Sequence, residues 1–343
     1  QLYTSLLGAV ADLSHTRVDA VVFISALQRH AAKPQVQHIK KLDKLLVRIQ
    51  KNPNKLAHAS LDCDINAGTH LRIVSDAAFK RETDTGYSLR GGLFLRGGRR
   101  QPEALVTSGP LHILDWACKT QRHVTRSTFA AELLSAGDAV DQGILVAQMT
   151  HEVERGPLSP GAVRQLRERG GFVPMGLFVD AKSVFAATTA TFVKTPAEKS
   201  LLCHIQFLRD LLDKHVLTTL AWVDTRDMLA DGLTKGSVQR SLLHALMDGV
   251  WNLAHPVEAW SSKLGPPVLY PDSRVGSGAL PRGPAQAALQ AFQVFLTVMA
   301  GSSTDPPTRK RTASTPARHT PTPRPAQSVA RSGVRAPRPT GTD

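Results

Sequence analysis

The sequence predicts an α/β protein, a mixed sheet flanked by helices. Three observations carry this. Short β-type runs cluster between His70 and Lys119, a long helical pattern follows them, and two further apolar strand patterns then alternate with helices. The expected order is β-β-β-α-β-α-α-β-α, preceded by a small helical segment and followed by a disordered tail.

In chain order, residues 1–58 predict two helices, an apolar one from Leu2 to Leu27 and a second from about Pro34 to Lys51, with proline near its start. Val36, Ile39, Leu42, Leu45, Leu46 and Ile49 recur at helical spacing, while Lys40, Lys41, Lys44, Arg48 and Lys51 occupy the remaining surface. That basic face is either a solvated exterior or a phosphate-tracking one, with Lys40 and Lys44 as its candidates. The runs LRIVSDAAF, YSLRGGLFLRG and LHILDWACK then predict an antiparallel meander. A helix is expected from Ser127 to about Val153, followed by a Gly/Pro-rich loop from Gly156 to Pro174 with room for a short helix, and the strand MGLFVD at 175–180. The remaining expectations are helices near Ala181–Ala190 and Pro196–Lys214, the strand LTTLAWVD at 217–224 and a helix from about Arg226. Trp116 and Trp222, in strand-like runs, are expected in the core rather than as base-stacking platforms. Residues 241–300 are expected to form a partly helical C-terminal extension. Residues 301–343 carry eight prolines and eight Arg/Lys with no aromatic residue, too little apolar surface to offset the entropy of ordering.

Lys plus Arg number 42 against 28 Asp plus Glu, a net charge of +14, which favours a polyanionic partner, nucleic acid before membrane. The apolar stretch Ala285 to Ala300 is too short and too rich in glutamine for a membrane span. Cys63, Cys118 and Cys203 stand far apart in no metal-binding pattern, which argues against a disulfide framework or structural zinc and fits an intracellular protein, cytoplasmic or nuclear. The opening QLYTSLLGAV lacks a basic region and an initiator Met, so it is expected to be the inside of a longer polyprotein or a fragment rather than a signal peptide.

Four acidic residues fall at element ends: Asp76 at the end of the first strand, Glu132 in the first turns of the long helix, Asp180 at the end of the fourth strand and Asp231 in the last helix. If the first and fourth strands are parallel neighbours, Asp76 and Asp180 share one sheet edge, where α/β folds place their chemistry. Carboxylates so gathered repel unless cations neutralise them, and oxygen-only ligands favour Mg²⁺ or Mn²⁺. Two such ions activate water and stabilise both oxygens of an in-line displacement at phosphorus. Each residue taken singly is also compatible with a helix cap or a solvated charge.

The segments SDAAFKRETDTGYSLRGGLFLRGG, LDWACKTQRHVTRSTFAAELLSA, LFVDAKSVFAA, TPAEKSLLCHIQFLRDLLDK and WVDTRDMLADGLTK resemble, in that order, the ribonuclease H domain of copia-type retrotransposon polyproteins, over residues 68–240. Residues 1–58 resemble the end of the same family's reverse transcriptase, its connection to that domain. The resemblance implies a ribonuclease H-like mixed five-stranded sheet, two Mg²⁺ or Mn²⁺ ions held by Asp76, Glu132, Asp180 and Asp231, and hydrolysis of the RNA strand of an RNA–DNA hybrid. The polymerase part of the same polyprotein is an implied partner. Lys199-Ser200 stands where the family has a Lys-His pair, and DTRD where cellular ribonucleases H have a histidine-bearing loop. No YxDD polymerase motif occurs, so DNA synthesis by this chain is not expected.

Arg126, Ser127, Lys182 and Ser183 flank the acidic positions and are candidates for the nucleic-acid backbone, Ser127 being equally suited to capping its helix. The alternative reading is a catalytically decayed, nucleic-acid-binding retroelement fragment. An integrase or transposase would place its glutamate last, whereas here Glu132 comes second.

Overall fold

In the computed structural model the described residues are 2–58, 61, 69–79, 87–98 and 107–261. The expected disordered tail at 301–343, and most of the extension from 241 to 300, lie outside them. Before the sheet come α1 (Leu2–Asp12), α2 (Val21–Gln28) and α3 (Val36–Lys51). The strands are β1 (Thr69–Ala78), β2 (Leu89–Gly98), β3 (Ser108–Thr120), β4 (Met175–Val179), β5 (Thr219–Trp222), β6 (Val250–Asn252) and β7 (Glu258–Trp260). The later helices are α4 (Thr128–Arg155), α5 (Pro160–Arg169), α6 (Lys182–Thr189), α7 (Leu201–Asp213), α8 (Asp231–Thr234) and α9 (Ser241–Met247).

The sheet is mixed and, among the described residues, seven-stranded rather than five-stranded, in the order β6-β3-β2-β1-β4-β5-β7. The meander β1-β2-β3 is antiparallel, and β1-β4 and β4-β5 are parallel. The two unexpected strands are three-residue edge pieces, β6 against the start of β3 and β7 against β5, too short for alternation to reveal them in sequence.

Side chains alternate between the faces of the sheet, so Leu71, Ile73, Leu177 and Val179 enter one core while Val74, Phe178 and Ala221 enter another. The first core is covered by α4 and α7, the second by residues 228–233, α9 and Val18, Val21 and Val22 of the N-terminal segment. Burial of each large aliphatic side chain here contributes roughly 1.5–3 kcal/mol. Two glycines set the approach of helices to sheet. A β-carbon on Gly143 of α4 would overlap the Ile73 side chain, and one on Gly91 of β2 would meet Thr234 Cγ2 at 2.7 Å and Leu233 Cβ at 3.1 Å.

Several expected helices are shorter or broken. The first is interrupted by 3-10 turns at Leu13–His15 and Val18–Ala20, where Arg17 and Asp19 form a buried ion pair at 2.9 Å and Val18 is drawn into the sheet core. On α3, Leu42 and Leu45 are buried but Val36 and Ile39 are largely exposed, because buried His38 stacks on His30 instead, with ring centroids 4.0 Å apart. The helix expected from Pro196 starts at Leu201, after a turn in which Leu201 and Leu202 donate to Glu198 and Lys199. In place of a helix from Arg226 stand a 3-10 turn, fixed by the Asp224 side chain accepting from the Arg226 amide, then the separate short helices α8 and α9. No helix among the described residues is long and apolar enough to cross a membrane.

Candidate metal centre

Strand pairing assembles the site. The parallel register sets Ser75 opposite Val179, so Asp76 and Asp180 follow one residue later on neighbouring strands. Asp76 shares the parity of Val74, and Asp180 that of Phe178, which directs both carboxylates to the face where α8 lies. Asp231, the first residue of α8, completes a group of three carboxylates whose nearest oxygens all lie within 4.8 Å of one another.

Glu132 stands outside that close group. It belongs to α4 on the opposite face and reaches the strand ends from there, buried and accepting a backbone hydrogen bond from Ala77. The start of α4 is fixed by Ser127, whose hydroxyl accepts from the Ala130 amide at 3.1 Å.

Asp76 is fully buried, its backbone carbonyl accepting from Ser135 Oγ at 2.9 Å. Thr234 Oγ1 donates to one of its carboxylate oxygens and Lys235 Nζ to the other, at 3.3 Å. Lys235 also donates to Asp231 Oδ1 at 2.5 Å. Thr234 and Lys235 were not among the expected site residues, although Lys235 follows Asp231 by four positions, the spacing at which helical side chains meet. Trp222 Nε1 donates to the Asp180 carbonyl at 2.8 Å, so this half-buried indole braces the strand end.

The electrostatics are those of crowded anions. Burial, then the charges of Asp76 and Asp180, push the Glu132 carboxyl up to about 9. Burial and Asp76 raise Asp231 to about 6, and the same two causes raise Asp180. Burial alone would lower Lys235, but Asp76 and Asp231 outweigh it and hold the ammonium above its ordinary range. Oxygen-only donors, closely grouped and short of positive charge, suit a hard divalent cation such as Mg²⁺ or Mn²⁺.

A cleft of about 520 Å³ opens beside the carboxylates, lined by Ala77 to Phe79, Thr128, Phe129, Glu132, Asp180, Ala181, Ser183, Lys235 and Ser237. Of the expected backbone-binding residues, Ser183 lines it, and Arg126 and Ser127 are exposed just before α4. Lys182 is exposed but turned aside, 4.6 Å from the Trp222 ring centroid and paired with Glu258 at 3.1 Å. Lys40 and Lys44 are exposed on α3, which packs against α1 and α2 rather than at the sheet edge.

The N-terminal segment also touches α8, the helix that carries Asp231. Arg240, buried in the loop after α8, donates to the carbonyls of Asp19 at 3.1 Å and Gly232 at 3.2 Å, and its guanidinium lies 4.6 Å from the Phe23 ring centroid.

No family model matches the sequence, and no curated protein matches it. Among solved structures the chain is similar to the N-terminal RNase H domain of Rv2228c from Mycobacterium tuberculosis, solved as a fusion with maltose-binding protein. The identity is 12%, the match covers 50% of this chain and 94% of that one, and the TM-score is 0.32.

Proposed function

We propose that the chain is a divalent-metal-dependent ribonuclease H of copia-type retrotransposon origin, cutting the RNA strand of RNA–DNA hybrids. The observation that carries the proposal is the convergence of Asp76, Asp180 and Asp231, with Glu132 arriving from the opposite face, at the ends of two parallel central strands. The order and spacing of the motifs around these four residues support the copia-type assignment.

Asp76, Asp180, Asp231 and Glu132 would hold two Mg²⁺ or Mn²⁺ ions, which supply an activated water and neutralise charge growing on the phosphate. The chain's own contribution is positional. β1 and β4 fix two carboxylates on one rigid edge, and the cleft beside them takes the scissile phosphate. Ser183 and the exposed N-terminal turn of α4, with Arg126 and Ser127, line the path of the nucleic-acid backbone. Lys182 joins them by exchanging its Glu258 partner for a phosphate, and Lys40 and Lys44 add a second, more distant basic surface. In this reading residues 1–58 are the remnant of a reverse-transcriptase connection, 68–240 the nuclease domain, 241–300 an extension and 301–343 a basic tail. The polymerase part of the same polyprotein is the proposed partner, and the compartment that of its hybrids, cytoplasm or nucleus.

The test is cleavage of a labelled RNA–DNA hybrid, single-stranded RNA and duplex DNA with Mg²⁺, Mn²⁺ or EDTA, by the parent chain and by Asp180→Asn. Cutting confined to the hybrid's RNA strand, and lost with EDTA or with the substitution, is expected. Salt-sensitive binding of the hybrid with no metal-dependent cut would overturn the enzymatic reading in favour of a decayed binding module.

A further inference from the structure

Lys235 already neutralises part of the carboxylate group. Its ammonium bridges Asp76 and Asp231, residues far apart in sequence, from a position immediately after α8. With Thr234 on the other Asp76 oxygen, both oxygens of that buried carboxylate are engaged by two consecutive residues of one turn. The Lys235 side chain is 29% exposed and lines the cleft, so it has open space to turn into. A small divalent cation needs the same oxygens at about 2.0–2.6 Å and repels an ammonium held beside it. The two cations compete for one place.

We propose that Lys235 is a tethered counter-ion, an ammonium that a divalent cation must displace before it can bind Asp76 and Asp231. The inference rests on the metal-dependent reading above. Lys235 thereby sets the metal concentration at which the centre fills, and it shields the buried carboxylates from one another while they hold no metal. Displaced into the cleft, the side chain still brings positive charge to the path of a phosphate.

The experiment is calorimetric titration of Mn²⁺ alone into the full-length parent chain, Lys235→Met, Lys235→Arg and Asp76→Asn, each checked for folding by circular dichroism. Lys235→Met keeps the length of the side chain and removes its charge. It is expected to bind Mn²⁺ about tenfold tighter or more, since a unit charge within a few ångströms shifts such equilibria by one to three powers of ten. Lys235→Arg, which keeps the charge, is expected to stay within about threefold of the parent. If the parent binds Mn²⁺ and Lys235→Met binds it no more tightly, the counter-ion role is overturned and the metal-dependent reading stands. If neither binds, both fall. A second measurement needs no variant: reductive methylation of the parent, mapped by mass spectrometry, is expected to label Lys235 more when Mn²⁺ saturates the protein. Labelling that is unchanged or reduced overturns the proposal.

Discussion

Replacing Arg240 with methionine removes the side chain that ties the N-terminal segment to the helix bearing Asp231. Its guanidinium donates to Asp19 O and Gly232 O inside the protein, and to Val238 O at 3.1 Å and Gly236 O at 3.5 Å nearer the surface. Phe23, which it faces, also carries Arg48 at 5.2 Å, so the ring lies against two guanidinium groups. The two buried bonds from a charged donor contribute about 1.5 kcal/mol each, and the ring contact about 1 kcal/mol. Water can replace the two outer bonds. Against this, burial depresses the Arg240 pKa to about 10, a sign that holding the charge there is costly, and methionine removes that cost. The net loss is about 3 kcal/mol, which for a domain of this size lowers Tm by about 6–12 °C. Differential scanning fluorimetry with and without Mn²⁺ reads this directly. Because one of the freed carbonyls belongs to α8, Mn²⁺ affinity is expected to fall along with stability. Arg240→Lys, unable to fork between Asp19 and Gly232, is expected to recover less than half of the loss. A loss below about 1 kcal/mol would refute the reasoning, showing that water satisfies these carbonyls and that apolar packing alone holds α8.

Gly91→Ala places a methyl group against Thr234, Leu233 and the Ala230 carbonyl, at 2.7, 3.1 and 3.3 Å before relaxation. It is expected to cost about 1–3 kcal/mol and to weaken Mn²⁺ binding by moving Thr234 off Asp76, both readable by the same fluorimetry and calorimetry. The pH dependence follows from the raised carboxyls. Asp231 rises from 3.8 to about 6 and Glu132 from 4.5 to about 9, so the folded chain keeps protons that the unfolded chain has released. Their stabilising contribution is full below the unfolded values and is lost as pH climbs through about 6 for Asp231 and about 9 for Glu132. Tm of the metal-free chain should therefore decline between about pH 5 and pH 9, with the upper part of the decline absent in Glu132→Gln and the whole of it reduced by saturating Mg²⁺. A Tm that rises over that interval would contradict the burial and crowding ascribed to these groups.

What the sequence revealed is what local pattern encodes. LRIVSDAAF and MGLFVD are strands with apolar residues on both faces and an aspartate at or near the end, and that pattern was enough to place Asp76 and Asp180 at one edge once the strands were parallel. Ser127 as the start of α4 was legible because a hydroxyl before a helical run is a local capping signal. The interactions that escaped are polar contacts between distant positions. Lys235 meets Asp76 across 159 residues, and Arg240 reaches Asp19 across 221, with no periodicity to announce either. The break in the first helix combines local and distant contacts: Thr16 donates its hydroxyl to the Leu13 carbonyl and Arg17 pairs with Asp19 locally, while Val18 enters the distant sheet core.

The division of the site between the two faces of the sheet has a mechanical consequence. Glu132 is positioned by α4, whose approach is set by Gly143 against Ile73, while Asp231, Thr234 and Lys235 are positioned by α8 and the residue after it, packed close to Gly91 and clamped by Arg240. Among the described residues the two packings meet at β1 and β2, which both α4 and α8 contact. Loss of the Arg240 contacts is therefore expected to act first on Asp231, Thr234 and Lys235, and on Glu132 only through its charge interaction with Lys235. In the structure the N-terminal segment is part of that support: Phe23 and the Asp19 carbonyl hold Arg240, which in turn bonds to α8. If the carboxylates hold a metal ion as proposed, filling of the site is expected to be coupled to docking of residues 1–58, because α8 carries Asp231 and also packs against α2.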